Sequence, residues 1–132
     1  MNIEKKIAEV TRVLLENDNI LFSYLYGSFA RGEQHRFSDI DIAVYMRKPS
    51  LESYRKLLRS LPPSIGYVDL RVLNELPPLL RLRIIAEGRL LFSRDEEALE
   101  KFMYETLVEA LEVKDQIQTV RKLRAKGFLN AV

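Results

Sequence analysis

The 132-residue chain contains no cysteine and a single histidine, His35. Without thiols it can form neither disulfides nor thiolate metal sites, and a reducing cytoplasm is the expected compartment. No apolar run approaches the roughly 18 residues needed to span a bilayer. The N-terminal stretch carries acidic residues and lacks the apolar segment of a signal peptide. These absences favour a cytoplasmic protein with no membrane partner.

Charge and size narrow the class further. The 21 basic residues nearly balance the 19 acidic ones, and the net charge of +2 does not require a nucleic-acid partner. We therefore expect no direct nucleic-acid binding. Hydrophobic residues make up 47% of the chain, enough to build a real core. A chain of this length suits one compact domain, predicted to cover residues 1–132.

Hydrophobic periodicity predicts nine elements in the order helix, strand, short helix, strand, helix, strand, helix, strand and long helix. The predicted ranges are, in that order, 3–17, 20–26, 29–33, 39–46, 51–61, 67–73, 77–87, 89–92 and 94–126. Ser50 is predicted to cap the fifth element, and Ser93 and Glu96 to form a capping box for the last. The order predicts an α/β (α+β) fold in which helices flank a small mixed β-sheet.

The last predicted helix is long for so small a domain. About thirty residues at 1.5 Å each would extend roughly 45 Å. One interpretation is that the helix bends and covers the sheet. The other is that its far half, around residues 113–123, contacts another subunit, which would make the chain a homo-oligomer.

Two aspartates are placed where a strand would not normally carry them. Asp39 and Asp41 lie two residues apart on a predicted strand, so their carboxylates leave the same face. Repulsion between them is costly unless a cation compensates, and Mg²⁺ prefers carboxylate oxygens together with phosphates. Two Mg²⁺ ions about 4 Å apart could activate an attacking oxygen and stabilise a leaving one. Asp69 is the natural third ligand, because it lies mid-strand among apolar residues.

A small turn precedes the acidic pair. Gly27 lets the backbone approach a ligand closely, and the Ser28 hydroxyl adds a donor, which together suit the phosphates of a nucleotide. Arg31, Arg36 and Ser38 are further candidates for the nucleotide site.

Each half of this pattern has a simpler interpretation. A Gly-Ser pair is a common turn, Asp-x-Asp can be an exposed edge or a Ca²⁺ ligand pair, and His35 is better explained as a surface residue. The combined spacing, GS-x10-D-x-D, should arise by chance in on the order of one in several hundred chains of this size. The combination therefore favours one site in two halves.

Residues 26–45, YGSFARGEQHRFSDIDIAVY, resemble the motif of the DNA polymerase β-like nucleotidyltransferase superfamily, in particular its minimal members, the MNT or MntA-like antitoxins. The resemblance implies the polymerase β-like nucleotidyltransferase fold. It implies that Gly27 and Ser28 bind phosphate and that Asp39 and Asp41 bind metal. Asp69 would complete the metal site and could serve as the base.

The resemblance also implies a reaction and a partner. Superfamily members transfer a nucleoside monophosphate from a nucleoside triphosphate to a hydroxyl and release pyrophosphate. Many minimal members are paired with a HEPN ribonuclease toxin and silence it by adenylylating a tyrosine. This chain is thus expected to use ATP and Mg²⁺ in a heteromeric complex with such a toxin. Two alternatives stay open: a non-catalytic antitoxin that acts by binding, and transfer to a small molecule of the aminoglycoside type.

Overall fold

The computed structural model describes residues 2–27, 30 and 40–127. The helices of this part are α1 (Ile3–Leu15), α2 (Leu51–Ser60), α3 (Pro78–Glu87) and α4 (Glu96–Ala125), and the strands are β1 (Ile20–Tyr26), β2 (Ile40–Met46), β3 (Val68–Val72) and β4 (Arg89–Ser93). Short 3₁₀ turns at Pro63–Ile65 and Leu73–Glu75 precede and follow β3. The short helix predicted at 29–33 and the loop after it lie outside the described residues, apart from Ala30.

The four strands form one mixed sheet in the order β3-β2-β1-β4. The central strand β1 runs antiparallel to both of its neighbours, β2 and β4, whereas β2 and β3 are parallel. This confirms the predicted small mixed sheet with flanking helices. One end of the sheet therefore brings together the end of β1 and the beginnings of β2 and β3.

Helices cover both faces of the sheet, which is why β2 alternates so clearly. Ile42 and Val44 point into a first core that α1 and α2 complete. Ala43 packs in a second core with residues of α3 and α4, and Tyr45 packs against it. There Tyr45 stacks on Phe22 of β1, with ring centroids 4.7 Å apart. The opposite faces of one strand thus feed two separate cores.

Of the two predicted helix caps, one is confirmed and one is wrong. Ser50 does cap α2, accepting from the backbone N–H of Ser53 at 3.0 Å. The cap of α4, however, is Asp95, which accepts from Ala98 N–H at 3.0 Å. The predicted Ser93 capping box is wrong because Ser93 remains in β4, paired with Phe22 of β1.

The face of α2 that packs against the sheet is narrow. Leu57 is fully buried, but Leu51 is 62% exposed and Leu58 is 40% exposed. Tyr54 and Leu61 pack against the first core on either side of Leu57. The helix is rotated so that this line, and not the line through Leu51 and Leu58, contacts the sheet.

The last helix, α4, is continuous over 30 residues. Its first half packs on α3 and β1 and buries Leu99, Phe102, Thr106 and Ala110. After Ala110 no residue of this fully described helix is buried, so the predicted bend over the sheet does not occur. None of the helices in the described ranges combines the length and the apolar character that a bilayer crossing requires.

Candidate active site

Three side chains form a row across one end of the sheet. Tyr26, the last residue of β1, is the register partner of Asp41, and Asp41 is in turn the register partner of Asp69. Registered neighbours on adjacent strands share a face, and adjacent strands lie about 4.8 Å apart across the sheet. The row Tyr26–Asp41–Asp69 therefore places two carboxylates and one hydroxyl side by side.

The two carboxylates concentrate negative charge at a half-buried position. Arg71, two residues along β3, offsets part of it, with its Nε 3.7 Å from Asp69 Oδ2. Like charges directly opposite each other on neighbouring strands are destabilising. Adjacent carboxylate oxygens are the donors that a hard divalent cation such as Mg²⁺ prefers. The donor set at this end of the sheet therefore fits the predicted metal.

Gly27 joins the two halves of the sequence motif. Its backbone has φ 74°, and a Cβ built on it would overlap Oδ2 of Asp41. Only glycine combines this conformation with so close an approach. The turn after β1 is thus packed directly against the carboxylate of Asp41.

Several predicted site residues lie outside the described part of the chain. They are Ser28, Arg31, Arg36, Ser38 and Asp39; His35, predicted to be a surface residue, also lies outside the described part. Within residues 2–27, 30 and 40–127 no group of three Asp, Glu, His or Cys side chains could hold a metal. Asp39, which was predicted to bind the metal together with Asp41 and Asp69, lies outside this part of the chain, so the metal-binding and nucleotide-binding roles of individual residues remain predictions.

Tyr26 is a member of the row that the sequence analysis did not single out. Its hydroxyl is buried, with no hydrogen-bond partner among the described residues. Burial raises the pKa of Tyr26 to about 12; the nearby Asp69 and Asp41 carboxylates also raise it, whereas Arg71 opposes them. The hydroxyl therefore stays protonated at neutral pH and can donate to an oxygen placed over the row. Its position directly before Gly27 was the available signal, but the register with Asp41 is a tertiary fact.

A pocket of about 210 Å³ opens beside the row. Tyr26 and Gly27 form one wall, and Leu80, Arg83, Ile84 and Glu87 of α3 form the other. Arg83 and Glu87 pair with each other at 3.1 Å. Leu80 and Ile84 suit contact with a flat ring of a ligand, and Arg83 and Glu87 suit contact with a polar group of it. Sequence reasoning missed this pocket because it exists only where α3 packs against β1.

A mixed sheet carrying paired acids at the end where a glycine turn leaves the central strand is typical of a nucleotidyltransferase. The family model described as "Polymerase beta, Nucleotidyltransferase" matches residues 6–97, more than half of the chain. The chain belongs to the polymerase beta nucleotidyltransferase family. The predicted polymerase β-like fold and the class of enzyme are confirmed.

Individual relatives refine this placement. The chain is 30% identical over 100 residues to the protein adenylyltransferase MntA of Shewanella oneidensis, a match that covers 71% of this chain and 68% of that protein. It is also similar, with 26% identity and a TM-score of 0.71, to a crystal structure of a toxin–antitoxin with AMP-PNP, covering 92% of this chain and 97% of that one.

The structure of a tri-AMPylated Shewanella oneidensis HEPN toxin in complex with MNT antitoxin matches with a TM-score of 0.69. That match covers 90% of this chain and 95% of the other at 20% identity, which shows the fold alone. The predicted likeness to minimal, MntA-like members of the superfamily is confirmed.

Proposed function

We propose that the chain is a Mg²⁺-dependent protein adenylyltransferase that transfers AMP from ATP to a tyrosine hydroxyl of a HEPN ribonuclease toxin. By doing so it acts as the cytoplasmic antitoxin of that toxin. The observation that carries the proposal is the register of Asp41 with Asp69 beside Gly27 in a member of the nucleotidyltransferase family. The similarity to an adenylyltransferase over 71% of the chain supports AMP as the transferred group.

The acids of the chain would hold the cofactor. Asp41 and Asp69, together with Asp39, would bind two Mg²⁺ ions through carboxylate oxygens. When bound, Mg²⁺ neutralises the triphosphate and assists departure of pyrophosphate. The Gly27 turn would let the phosphates approach the backbone, and the Ser28 hydroxyl would add a donor.

The transfer step needs a base and a held acceptor. The carboxylate of Asp69 would take the proton of the acceptor tyrosine, whose oxygen then attacks the α-phosphorus in line. The new bond joins that oxygen to the α-phosphorus, and the bond from the α-phosphorus to the bridging oxygen breaks. Pyrophosphate leaves with that electron pair. The protonated Tyr26 hydroxyl could donate to an oxygen of the bound nucleotide over the row. Most of the catalysis would therefore come from positioning the reactants and neutralising charge.

A second candidate function is an antitoxin that neutralises its partner by contact, without chemistry. Two of the solved structures that this chain resembles are toxin–antitoxin assemblies, so binding by itself is a reasonable mode of action. The paired acids argue against it, because a purely structural site gains nothing from adjacent carboxylates. Transfer to a small molecule is the third candidate function.

One experiment separates these functions. The chain is incubated with ATP, Mg²⁺ and the HEPN-type protein from a neighbouring reading frame, and mass spectrometry is used to look for AMP on a tyrosine. The expected result is a modified toxin without ribonuclease activity, and chelation of the metal should abolish it. GTP, CTP and UTP in parallel reactions would establish the nucleotide preference.

The decisive variant is Asp39→Asn combined with Asp41→Asn. We expect it to bind the toxin in a pull-down but to leave the toxin unmodified and active. If it neutralises the toxin as well as the wild-type chain does, the antitoxin acts by contact and the enzymatic proposal is wrong. If no toxin is modified but an aminoglycoside is, the third candidate function, transfer to a small molecule, is correct.

A further inference from the structure

The pocket beside the row has room for one ring system and is too small for a whole nucleotide. Its volume of about 210 Å³ lies below the roughly 300–1,000 Å³ of pockets that enclose a drug-sized ligand. Leu80 and Ile84 of α3 line it with aliphatic side chains, and Tyr26 and Gly27 line it from β1. The pocket therefore suits a flat ring whose polar remainder extends out of it.

The position of the pocket relative to the carboxylates distinguishes the nucleotide from the acceptor. The row runs from Tyr26 on β1 through Asp41 on β2 to Asp69 on β3. Tyr26 lines the pocket, whereas Asp69, the proposed base for the acceptor hydroxyl, is two strands away, roughly 10 Å at the usual strand spacing. Gly27, where the proposed phosphate turn begins, also lines the pocket. We therefore expect the acceptor at the Asp69 end of the row and the nucleotide at the pocket end.

The end of α3 disfavours phosphate inside the pocket. The helix ends at Glu87, which lines the pocket. The carbonyl end of a helix carries a partial negative charge, and the Glu87 carboxylate adds to it. A triphosphate would be repelled there, whereas an amino group on a ring would be attracted. The phosphates therefore belong at the Gly27 turn, and the pocket is left for the base.

Two side chains of α3 place a donor and an acceptor side by side at the pocket. Nε of Arg83 lies 3.1 Å from Oε2 of Glu87, and the two side chains are 63% and 48% exposed. An exposed pair of this kind contributes little to stability. A guanidinium has five N–H donors and a carboxylate accepts several hydrogen bonds, so both groups can bind a ligand while they stay paired. A ring edge with an amino group next to a ring nitrogen matches this pair.

We propose that this pocket binds the base of the nucleotide and selects adenine, with Glu87 accepting from the exocyclic amino group and Arg83 donating to the ring nitrogen beside it. Guanine and uracil present a carbonyl oxygen at that position, which the Glu87 carboxylate repels. Cytosine presents an amino group and a ring nitrogen, but its single ring leaves part of the apolar wall of Leu80 and Ile84 uncovered. This inference rests on the proposed function, because it concerns the base of the nucleotide from which AMP is transferred.

The first test measures nucleotide binding to the full chain, without transfer. Isothermal titration in the presence of Mg²⁺ should show the tightest binding for ATP, followed by CTP. GTP and UTP should bind at least about tenfold more weakly than ATP, since their carbonyl oxygen meets a carboxylate. Purine riboside triphosphate, which lacks the exocyclic amino group, should bind at least about threefold more weakly than ATP. Equal affinities for ATP, GTP and purine riboside triphosphate would overturn the proposal.

Glu87→Gln tests the side chain that selects the base. The amide can donate to the guanine oxygen as well as accept from adenine, so the ratio of ATP affinity to GTP affinity should fall at least about threefold. Glu16→Gln is the matched control, because Glu16 forms an exposed pair with Arg12 four residues away on α1, at 3.5 Å. Both variants should keep the wild-type thermal midpoint, and the control should keep the wild-type ratio. An unchanged ratio in Glu87→Gln would overturn the proposal.

The outcomes separate this inference from the proposed function. If Glu87→Gln and the wild-type chain select ATP over GTP equally while AMP appears on the HEPN-type protein, the pocket assignment is wrong and the proposed function stands. If Glu87→Gln loses selection in binding but the wild-type chain transfers no AMP to that protein, the pocket assignment stands and the proposed function is wrong. A wild-type chain that binds none of the four triphosphates would overturn both.

Discussion

The two ends of the central sheet use their polar groups in opposite ways. At the end where β1 begins and β2 ends, side chains satisfy the backbone. Asn19 exchanges hydrogen bonds with the backbone of Lys48 at 2.8 and 3.2 Å. Asn74 does the same with Met46, at 2.9 Å in both directions. A third side chain, Arg94, donates to backbone carbonyl groups at the end of α1 and at the start of β1.

Arg94 is the centre of this closed end. Its guanidinium donates to the carbonyl of Ile20 at 2.6 Å and to that of Leu15 at 2.7 Å. The opposite end of the sheet, called the open end below, carries the row of Tyr26, Asp41 and Asp69. Its carboxylates are adjacent, and its buried hydroxyl has no partner among the described residues.

The difference indicates that the closed end stabilises the fold and that the open end is the candidate active site. Hydrogen bonds from side chains to the backbone contribute to stability, whereas clustered like charges and an unpaired buried hydroxyl reduce it. A protein retains such a loss of stability where the groups that cause it bind a ligand. Removing a polar group at the open end should therefore lower activity without lowering stability, and removing one at the closed end should do the reverse.

The largest effect is expected for the acids of the open end. Asp41→Asn or Asp69→Asn should lower the rate of AMP transfer at least about 100-fold, since even outer-shell ligands of metal sites contribute 10- to 100-fold. The free energy of unfolding should not fall, because removing one carboxylate relieves repulsion. Initial rates of AMP incorporation and urea denaturation measure the two quantities. Asp18→Asn at the closed end is the matched control, and a parallel loss of stability and activity would contradict the comparison.

Gly27 offers a test of close packing at the open end. Gly27→Ala should abolish most activity and destabilise the chain by about 2 kcal/mol or more, since it adds a steric clash with Asp41 to the strain of a positive φ. Gly66 is the matched control: its φ is 80°, and nothing lies within 4 Å of an added Cβ. Gly66→Ala should cost about 1 kcal/mol and leave the transfer rate unchanged. Equal losses of activity in both variants would show that Gly27 acts through folding only.

Arg94→Ala tests the closed end. We expect unfolding to become about 2–3 kcal/mol easier, with an unchanged transfer rate at temperatures where the variant remains folded. Arg12→Ala serves as the control, because its ion pair with Glu16 is exposed and should contribute below about 0.5 kcal/mol. Thermal denaturation followed by circular dichroism measures both. An Arg94 variant that folds normally but transfers AMP slowly would refute the division between the ends.

Tyr26→Phe should have a smaller effect on activity. Loss of one neutral hydrogen bond in the transition state predicts a rate about 2- to 10-fold lower, with stability preserved. Tyr24→Phe is the control, because its hydroxyl on the same strand is also buried without a partner among the described residues. The control should leave the transfer rate unchanged. Equal rates for both variants and the wild type would exclude a role for the Tyr26 hydroxyl.

The smallest expected effect is on the pH dependence of stability, and Tyr26→Phe tests it as well. The pKa of Tyr26 is raised to about 12 in the folded chain, from an ordinary value of 10. The unfolded chain therefore ionises first, and stability falls as the pH rises from 10 to 12. Burial also raises the pKa of Tyr24, which adds to that fall. Tyr26→Phe should make the decline shallower, as measured by urea denaturation between pH 9 and 12, and an unchanged slope would contradict the burial of that hydroxyl.

Local sequence signals predicted a large part of the fold. The alternation in β2 and β3 determines which residues face the cores, because a strand has a period of two. The continuous apolar run of β1 predicted a strand that is buried on both faces. Ser50 was recognised as a cap because capping is a local hydrogen bond. The same reasoning failed at Ser93, where pairing with Phe22 of β1 keeps the residue extended. Likewise, the rotation of α2 that exposes Leu51 depends on what the helix packs against.

The chemistry of this chain and its family were indicated by the sequence itself, through the spacing GS-x10-D-x-D that joins Gly27 and Ser28 to Asp39 and Asp41, with Asp69 further along the chain. Residue type and local spacing are enough to show that carboxylates and a glycine turn belong together. The tertiary structure alone decided that Tyr26 completes the row and that α3 forms a pocket beside it. These features come from contacts between elements distant in the chain, and such contacts depend on strand register and helix rotation, which no local pattern specifies.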